Sequence, residues 1–297
     1  MALNLSLASR WCALWHDALR FPYGRKGLVL VSDTDLAPGN FLICHYLNHL
    51  LWTCAQKKTG KVILVLAENN FMHYEQIAKR SGLNLEREMK EGRLAVIDAF
   101  SFPQADWLPP GALEEERERS RVPLFSFTEG EHGKLDVLKR LAREIESAVG
   151  REETNDDLLM DKWPCPVHVI IDNLSYLAVS CGSKTAVLRL VQHLRARGHG
   201  DHGGLLVSSA RSDIKDDKQF VATLVHWSAL SVDVQPLPTG ASSDVSGSLF
   251  LQRREPAEPS ASGRMDHDEG AETEPIFYHY KLSDSGAKLF IPGNNKE

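Results

Sequence analysis

No apolar run in the 297 residues approaches the roughly 20 positions that a helix needs to span a bilayer, so a helical membrane protein is not expected. Cysteine is scarce. The five residues (Cys12, Cys44, Cys54, Cys165 and Cys181) are odd in number, scattered, and form no CxxC pair. That argues against a zinc module and against a disulfide framework. A basic excess is missing too: Lys and Arg total 34 against 40 Asp and Glu, a net charge of −6. A stand-alone nucleic-acid binder normally carries the opposite balance, so any such role would need a local patch or partner subunits.

The acidic excess is local. Residues 255–275 hold seven acids (Glu255, Glu258, Asp266, Asp268, Glu269, Glu272, Glu274) against Arg264, which leaves the rest of the chain neutral. Otherwise the composition is that of a globular chain, 42% apolar and 25% charged. Its length suits one large domain or two small ones and can bury a core without metals or disulfides. Residues 1–20 do not read as a signal peptide, because no charged start leads into a continuous apolar stretch. Leu3, Leu7, Trp11, Leu14 and Ala18 instead fall at helical spacing. The spacing predicts a helix packed on the domain or a neighbour; Arg10 and Arg20 also fit a mitochondrial presequence.

Five short apolar runs recur: Leu28–Val31, Val62–Ala67, Leu94–Ala99, Val167–Leu174 and Leu205–Ser208. Continuous runs suit strands buried on both faces, as in a parallel sheet covered by helices. Helices are predicted over Phe41–Cys54, Phe71–Ser81 (stopped by Gly82), Lys134–Val149 and Lys184–Arg197. This alternation predicts a doubly wound α/β domain. In the last third, Leu230–Gln235, Ser248–Arg253, Ile276–Leu282 and Ala287–Ile291 read as strands with no helical pattern between them. Antiparallel pairing is expected there, with a terminal hairpin turning at Asp284-Ser285-Gly286. Residues 103–133 and 255–275 read as loops. The second has too few apolar groups to offset ordering entropy and is expected to be disordered.

GLVLVSDTDLAPGNFLICHYL (Gly27–Leu47) has the strand–loop–helix order of a P-loop. A working P-loop, GxxxxGK[ST], uses its lysine for the β/γ phosphates and its hydroxyl for Mg²⁺. Placing Gly39 at the second glycine puts Thr34 at the first, Asn40 at the lysine and Phe41 at the hydroxyl. Both chemical groups are absent from that register, and Asp33 and Asp35 add negative charge where phosphates would sit. VHVIIDNLSYL ends an apolar strand in Asp172, a Walker B pattern in which the acid orients Mg²⁺. Asn173 stands where a second, water-activating acid often follows. A polar strand end exposed at the sheet edge would read the same way.

Other constellations are weaker. His199-Gly200-Asp201-His202 reads as a loop, and His45 and His49 as a surface pair lacking the glutamate of HExxH. Ser208-Ser209 lacks the glycine frame of a nucleophile elbow. Lys184, Arg189, Arg195 and Arg197 share a helix without acids, a candidate RNA contact or, as the default, a solvated or subunit-facing surface.

The chain resembles the Elongator complex protein 6 family, accessory subunits of the eukaryotic Elongator complex. The similar stretches are Phe71–Phe100 (FMHYEQIAKRSGLNLEREMKEGRLAVIDAF), Val167–Gly182 (VHVIIDNLSYLAVSCG), Phe277–Gly293 (FYHYKLSDSGAKLFIPG) and PGNFL at Pro38–Leu42. The resemblance implies a single RecA-like domain over residues 1–297, with a mostly parallel central sheet, helices on both faces, C-terminal antiparallel strands and degenerate Walker motifs. It implies a non-catalytic subunit that joins two sister subunits in a heterohexameric ring, docked on the catalytic part of Elongator. The ring binds tRNA and supports carboxymethyl-type modification at C5 of the wobble uridine. No cofactor or metal is expected in this chain, ATP belonging to partner subunits. The expected location is the cytoplasm, with a nuclear pool as the second location. Trp11 and Trp15 are the candidate interface anchors. Two alternatives stand beside this reading: an active RecA-type hydrolase such as a recombinase paralogue, and a module that binds nucleotide without hydrolysing it.

Overall fold

The computed structural model describes residue 19 and residues 27–99, 135–149, 165–198, 204–240, 242–254, 274–283 and 286–291. Trp11 and Trp15, the loop 103–133, the His199–His202 segment and all of 255–275 but its last two residues lie outside these.

The continuous apolar runs become strands β1 (Gly27–Asp33), β2 (Lys61–Leu66), β3 (Leu94–Asp98), β4 (Val167–Ile171) and β5 (Leu205–Arg211). All are parallel and nearly all their residues are buried, as side chains covered on both faces require. Four more strands follow: β6 (Ser228–Gln235), β7 (Gly247–Arg253), β8 (Ile276–Ser283) and β9 (Gly286–Phe290). The nine form one sheet in the order β3-β2-β4-β5-β1-β6-β7-β8-β9.

Antiparallel pairing was expected throughout the last third, and β6 departs from it. It pairs parallel to β1, with Val29 opposite Leu230 and Val31 opposite Val232. The reason is a helix not among those predicted, α7 (Lys218–Trp227), which carries the chain back across the sheet between β5 and β6. Only from β6 to β7 onward do the strands alternate in direction. The terminal hairpin is present, with Ser283 opposite Gly286.

Helices cover both faces. On one lie α1 (Asn40–Lys57), α2 (Phe71–Arg80) and α3 (Leu85–Lys90), packed with Val29, Val31, Leu64 and the inner faces of β7–β9. On the other lie α4 (Leu135–Val149), α5 (Leu174–Cys181), α6 (Lys184–Gly198) and α7. The apolar run at Val167–Leu174 is thus two elements: the strand stops at Ile171, and Leu174 opens α5. Asparagine side chains start three of these helices. Asn70 accepts from the His73 amide, Asn84 from that of Arg87, and Asn173 from those of Ser175 and Tyr176.

The chain leaves β1 toward one helical layer and leaves β4 and β5 toward the other. Their loops diverge at the carboxyl ends of the strands, where open α/β sheets form their ligand crevice.

Candidate functional site

The β1–α1 connection borders this crevice. Thr34 pairs with Ala37 in a tight loop, and Gly39 precedes α1. Glycine is required at 39 because a Cβ there would lie 2.7 Å from Val31 Cγ1 and 3.2 Å from Asp33 Cβ. The free amide at the start of a helix is a ready seat for an anion. Here the chain supplies its own: Asp33 Oδ2 accepts from the Gly39 amide at 2.7 Å. Asn40 begins the helix with its Oδ1 buried and without a hydrogen-bond partner. Phe41 stacks on Tyr280 of β8, with ring centroids 4.9 Å apart. In the register that sets Gly39 at the second glycine of a P-loop, the next two positions hold an amide and an aromatic ring packed on the C-terminal strands.

Asp172 follows the last residue of β4 but does not face solvent, as a polar strand end would. It is fully buried. Its Oδ1 accepts from the amides of Ala67 (2.6 Å) and Glu68 (3.0 Å), and its Oδ2 from the Asn69 amide (3.0 Å) and the Tyr74 hydroxyl (3.2 Å). Burial pushes its pKa up to about 6 against the pull of the three amides. This carboxylate clamps the β2–α2 loop to the end of β4. Asn173, also fully buried, caps α5 with its oxygen and donates its Nδ2 to Glu68 at 3.0 Å.

One guanidinium sits among several acids at the centre. Arg211, the last residue of β5, places Nη2 2.6 Å from Asp35 and 3.8 Å from Glu68, and Nη1 3.9 Å from Asp33 Oδ1. Asp213 accepts from the Asp35 amide at 2.9 Å. Among the described residues, Arg211 is the single cation within 4.0 Å of Asp33, Asp35 and Glu68, and none lies that close to Asp213. Asp33 is 2% exposed, and its Oδ1 has no hydrogen-bond partner. Burial raises its pKa to about 6, helped by Glu68 and Asp213 and opposed by Gly39 and Arg211. At an effective dielectric of ~20 and a separation of ~5 Å, each carboxylate repels a unit negative charge by about 3 kcal/mol. With one guanidinium beside four acids, the crevice carries an excess of negative charge.

The sequence pattern pointed to Asp33 and Asp35 but missed Glu68, Arg211 and Asp213. For Glu68 and Arg211 a signal was present: the chain passes from β2 through Ala67 into Glu68, and within β5 from Ala210 into Arg211, a charged residue at each strand's carboxyl end.

The remaining sequence candidates are placed elsewhere. Ser208 and Ser209 are fully buried, their hydroxyls tied to the carbonyls of Ile171 and Asp172. His45 and His49 stack on α1, ring centroids 6.3 Å apart. No group of three His, Cys, Asp or Glu able to hold a metal occurs among the described residues. The basic face of α6 is not uniformly solvated. Lys184 pairs with Asp217 at 2.6 Å, and Arg195 lies over the Trp227 ring, where burial lowers its pKa.

The model of the family described as "Elongation complex protein 6" matches residues 18–284. The chain belongs to that family. It is 25% identical over 274 residues to Elongator complex protein 6 of Xenopus laevis, with 91% of each chain covered. To that of Danio rerio it is 26% identical over 275 residues, covering 90% of this chain and 91% of the other. Two Pyrococcus horikoshii structures share the fold. One is a KaiC-like protein (TM-score 0.50, 8% identity, 89% of each chain). The other is an uncharacterized protein solved with an unknown peptide (TM-score 0.56, 11% identity, 95% of this chain and 97% of the other). The family thus makes this chain a subunit of Elongator with a RecA-like fold. No described helix is long and apolar enough to cross a membrane.

Proposed function

We propose that this chain is a non-catalytic RecA-like subunit of Elongator that works by assembly rather than by nucleotide chemistry. It joins two sister subunits in a heterohexameric ring, docks with the catalytic part of the complex, and supports modification of the tRNA wobble uridine at C5. It acts in the cytoplasm, with a nuclear pool as the second location, and contacts tRNA through the assembled ring. Any ATP is held by its partners. Residues 1–297 act as one domain, a reading supported by the single sheet that links β1 to β9.

One observation carries the non-catalytic reading. Asp33 occupies the anion seat at the start of α1, in a crevice where carboxylates outnumber cations. Asp172, which would orient a metal, has both oxygens taken by the β2–α2 loop and by Tyr74. Family membership supports the assembly reading. Cells lacking the protein are expected to lose wobble-uridine modification while the catalytic subunit persists, measured by mass spectrometry of tRNA nucleosides. Normal modification in those cells would overturn the reading.

A further inference from the structure

The acidic crevice opens among exposed apolar side chains. Leu36, next to Asp35, is 83% exposed, and Ile214, next to Asp213, is 39% exposed. Met72 in the first turn of α2 is exposed, as are Tyr176 and Val179 on α5, the helix that Asn173 caps while it holds Glu68. Exposed apolar side chains beside a charged crevice can exclude water from a charge pair formed across a protein contact, and such a pair fixes register.

We propose that this edge seats a partner subunit by taking one of its basic side chains, an arginine or lysine, into the crevice formed by Asp33, Asp35, Glu68 and Asp213. This rests on the accessory-subunit reading above and names the chemistry of the contact. Charge decides the occupant. Arg211 compensates one of the four carboxylates, and the excess repels the phosphates of nucleotides and nucleic acids alike. Asp33 supplies a second observation. It is almost fully buried, and its Oδ1 faces Arg211 Nη1 across 3.9 Å without a hydrogen-bond partner. Burying an unpaired acceptor is costly unless a further positive charge shares the site. A basic side chain entering between Asp35, with its side chain 80% exposed, and Asp213 would supply that charge. Leu36 and Ile214 would then close over its aliphatic stem.

The test uses the full chain co-expressed with the other Elongator subunits. Asp35→Lys with Asp213→Lys is expected to lower retention of the partner subunits by about tenfold or more, with the thermal midpoint unchanged. Asp35→Asn with Asp213→Asn is expected to cause a smaller loss, and retention by the unaltered chain should fall as salt is raised. Should the lysine pair lower the midpoint, the asparagine pair decides, because it keeps an acceptor for the Asp35 amide. Partner retention unchanged in both variants overturns the inference and leaves the accessory-subunit reading standing. ATP binding by the unaltered chain that is abolished in the variants overturns it in favour of a nucleotide occupant. An unaltered chain that retains no Elongator subunit overturns the accessory-subunit reading and this inference together.

Discussion

Replacing Asp172 with alanine removes the acceptor of three backbone amides at once. Each buried donor left unpaired costs about 1–3 kcal/mol, so a loss of at least about 3 kcal/mol is expected in urea unfolding. Asp172→Asn keeps one oxygen and should lose less; equal losses would show that the clamp is not built from these bonds. Asp33 governs a pH dependence. Its folded pKa of about 6 lies above the ordinary 3.8, so the folded state binds the proton more readily than the unfolded chain does. The resulting stability is fully present below pH 3.8 and is lost as pH rises through 6; Asp172 shifts in the same direction. Unfolding midpoints are therefore expected to rise when pH is lowered from 7.5 to about 5, and Asp33→Asn should flatten that rise. A midpoint that falls over the same window would contradict the assignment. The acids themselves were readable as misplaced negative charge in a P-loop register. The clamping role of Asp172 was not, since the amides it binds lie 103–105 positions earlier in the chain.

The parallel strands announced themselves because burial on both faces demands unbroken apolar runs, and β1 to β5 obey that rule. One helix hid behind the same rule: Leu174 extends the run of β4 although it begins α5. Another, α7, was legible, with Phe220, Val221 and Leu224 at helical spacing before the chain runs directly into β6 at Ser228. Missing α7 removed the crossover, and with it the reason for β6 to run parallel to β1. The asparagine caps were visible only as residue types, since capping is a matter of backbone position. Asn173 is the cap with the most attached to it, holding two α5 amides and Glu68. Asn173→Ala is expected to cost about 2 kcal/mol, against about 1 kcal/mol for the exposed cap in Asn84→Ala. Thermal midpoints of the two variants check the ranking, and equal shifts would mean that the Glu68 contact adds nothing.

At the scale of the whole molecule, the fold class was readable and so was the family, from short stretches in the right order. The crevice was only half readable, because Glu68 and Arg211 meet Asp33 by topology rather than by spacing along the chain. The purified protein is expected to show no ATP turnover above background in a phosphate-release assay, since no lysine stands at the start of α1 and Asp172 is occupied. Turnover lost on Asp172→Asn in a folded chain would refute that. The acidic stretch 255–275 joins β7 to the start of β8 and cannot build a core from its composition. A short Gly/Ser replacement should shift the thermal midpoint by no more than a few degrees; a larger drop would mean that its charge is structural.

The place of β1 in the sheet also sets a timetable for synthesis. Both of its neighbours, β5 and β6, are encoded between residues 205 and 235. At about 5–20 residues per second, the ribosome leaves this strand, buried along its whole length in the fold, unpaired for roughly ten to forty seconds. Phe41 waits longer still, until Tyr280 has emerged to stack on it. The nascent chain therefore carries β1 without its neighbours through the synthesis of β2, β3 and β4, and this part of the core closes only after β6 and β8 have been made. That makes the emerging chain a natural client for holding chaperones.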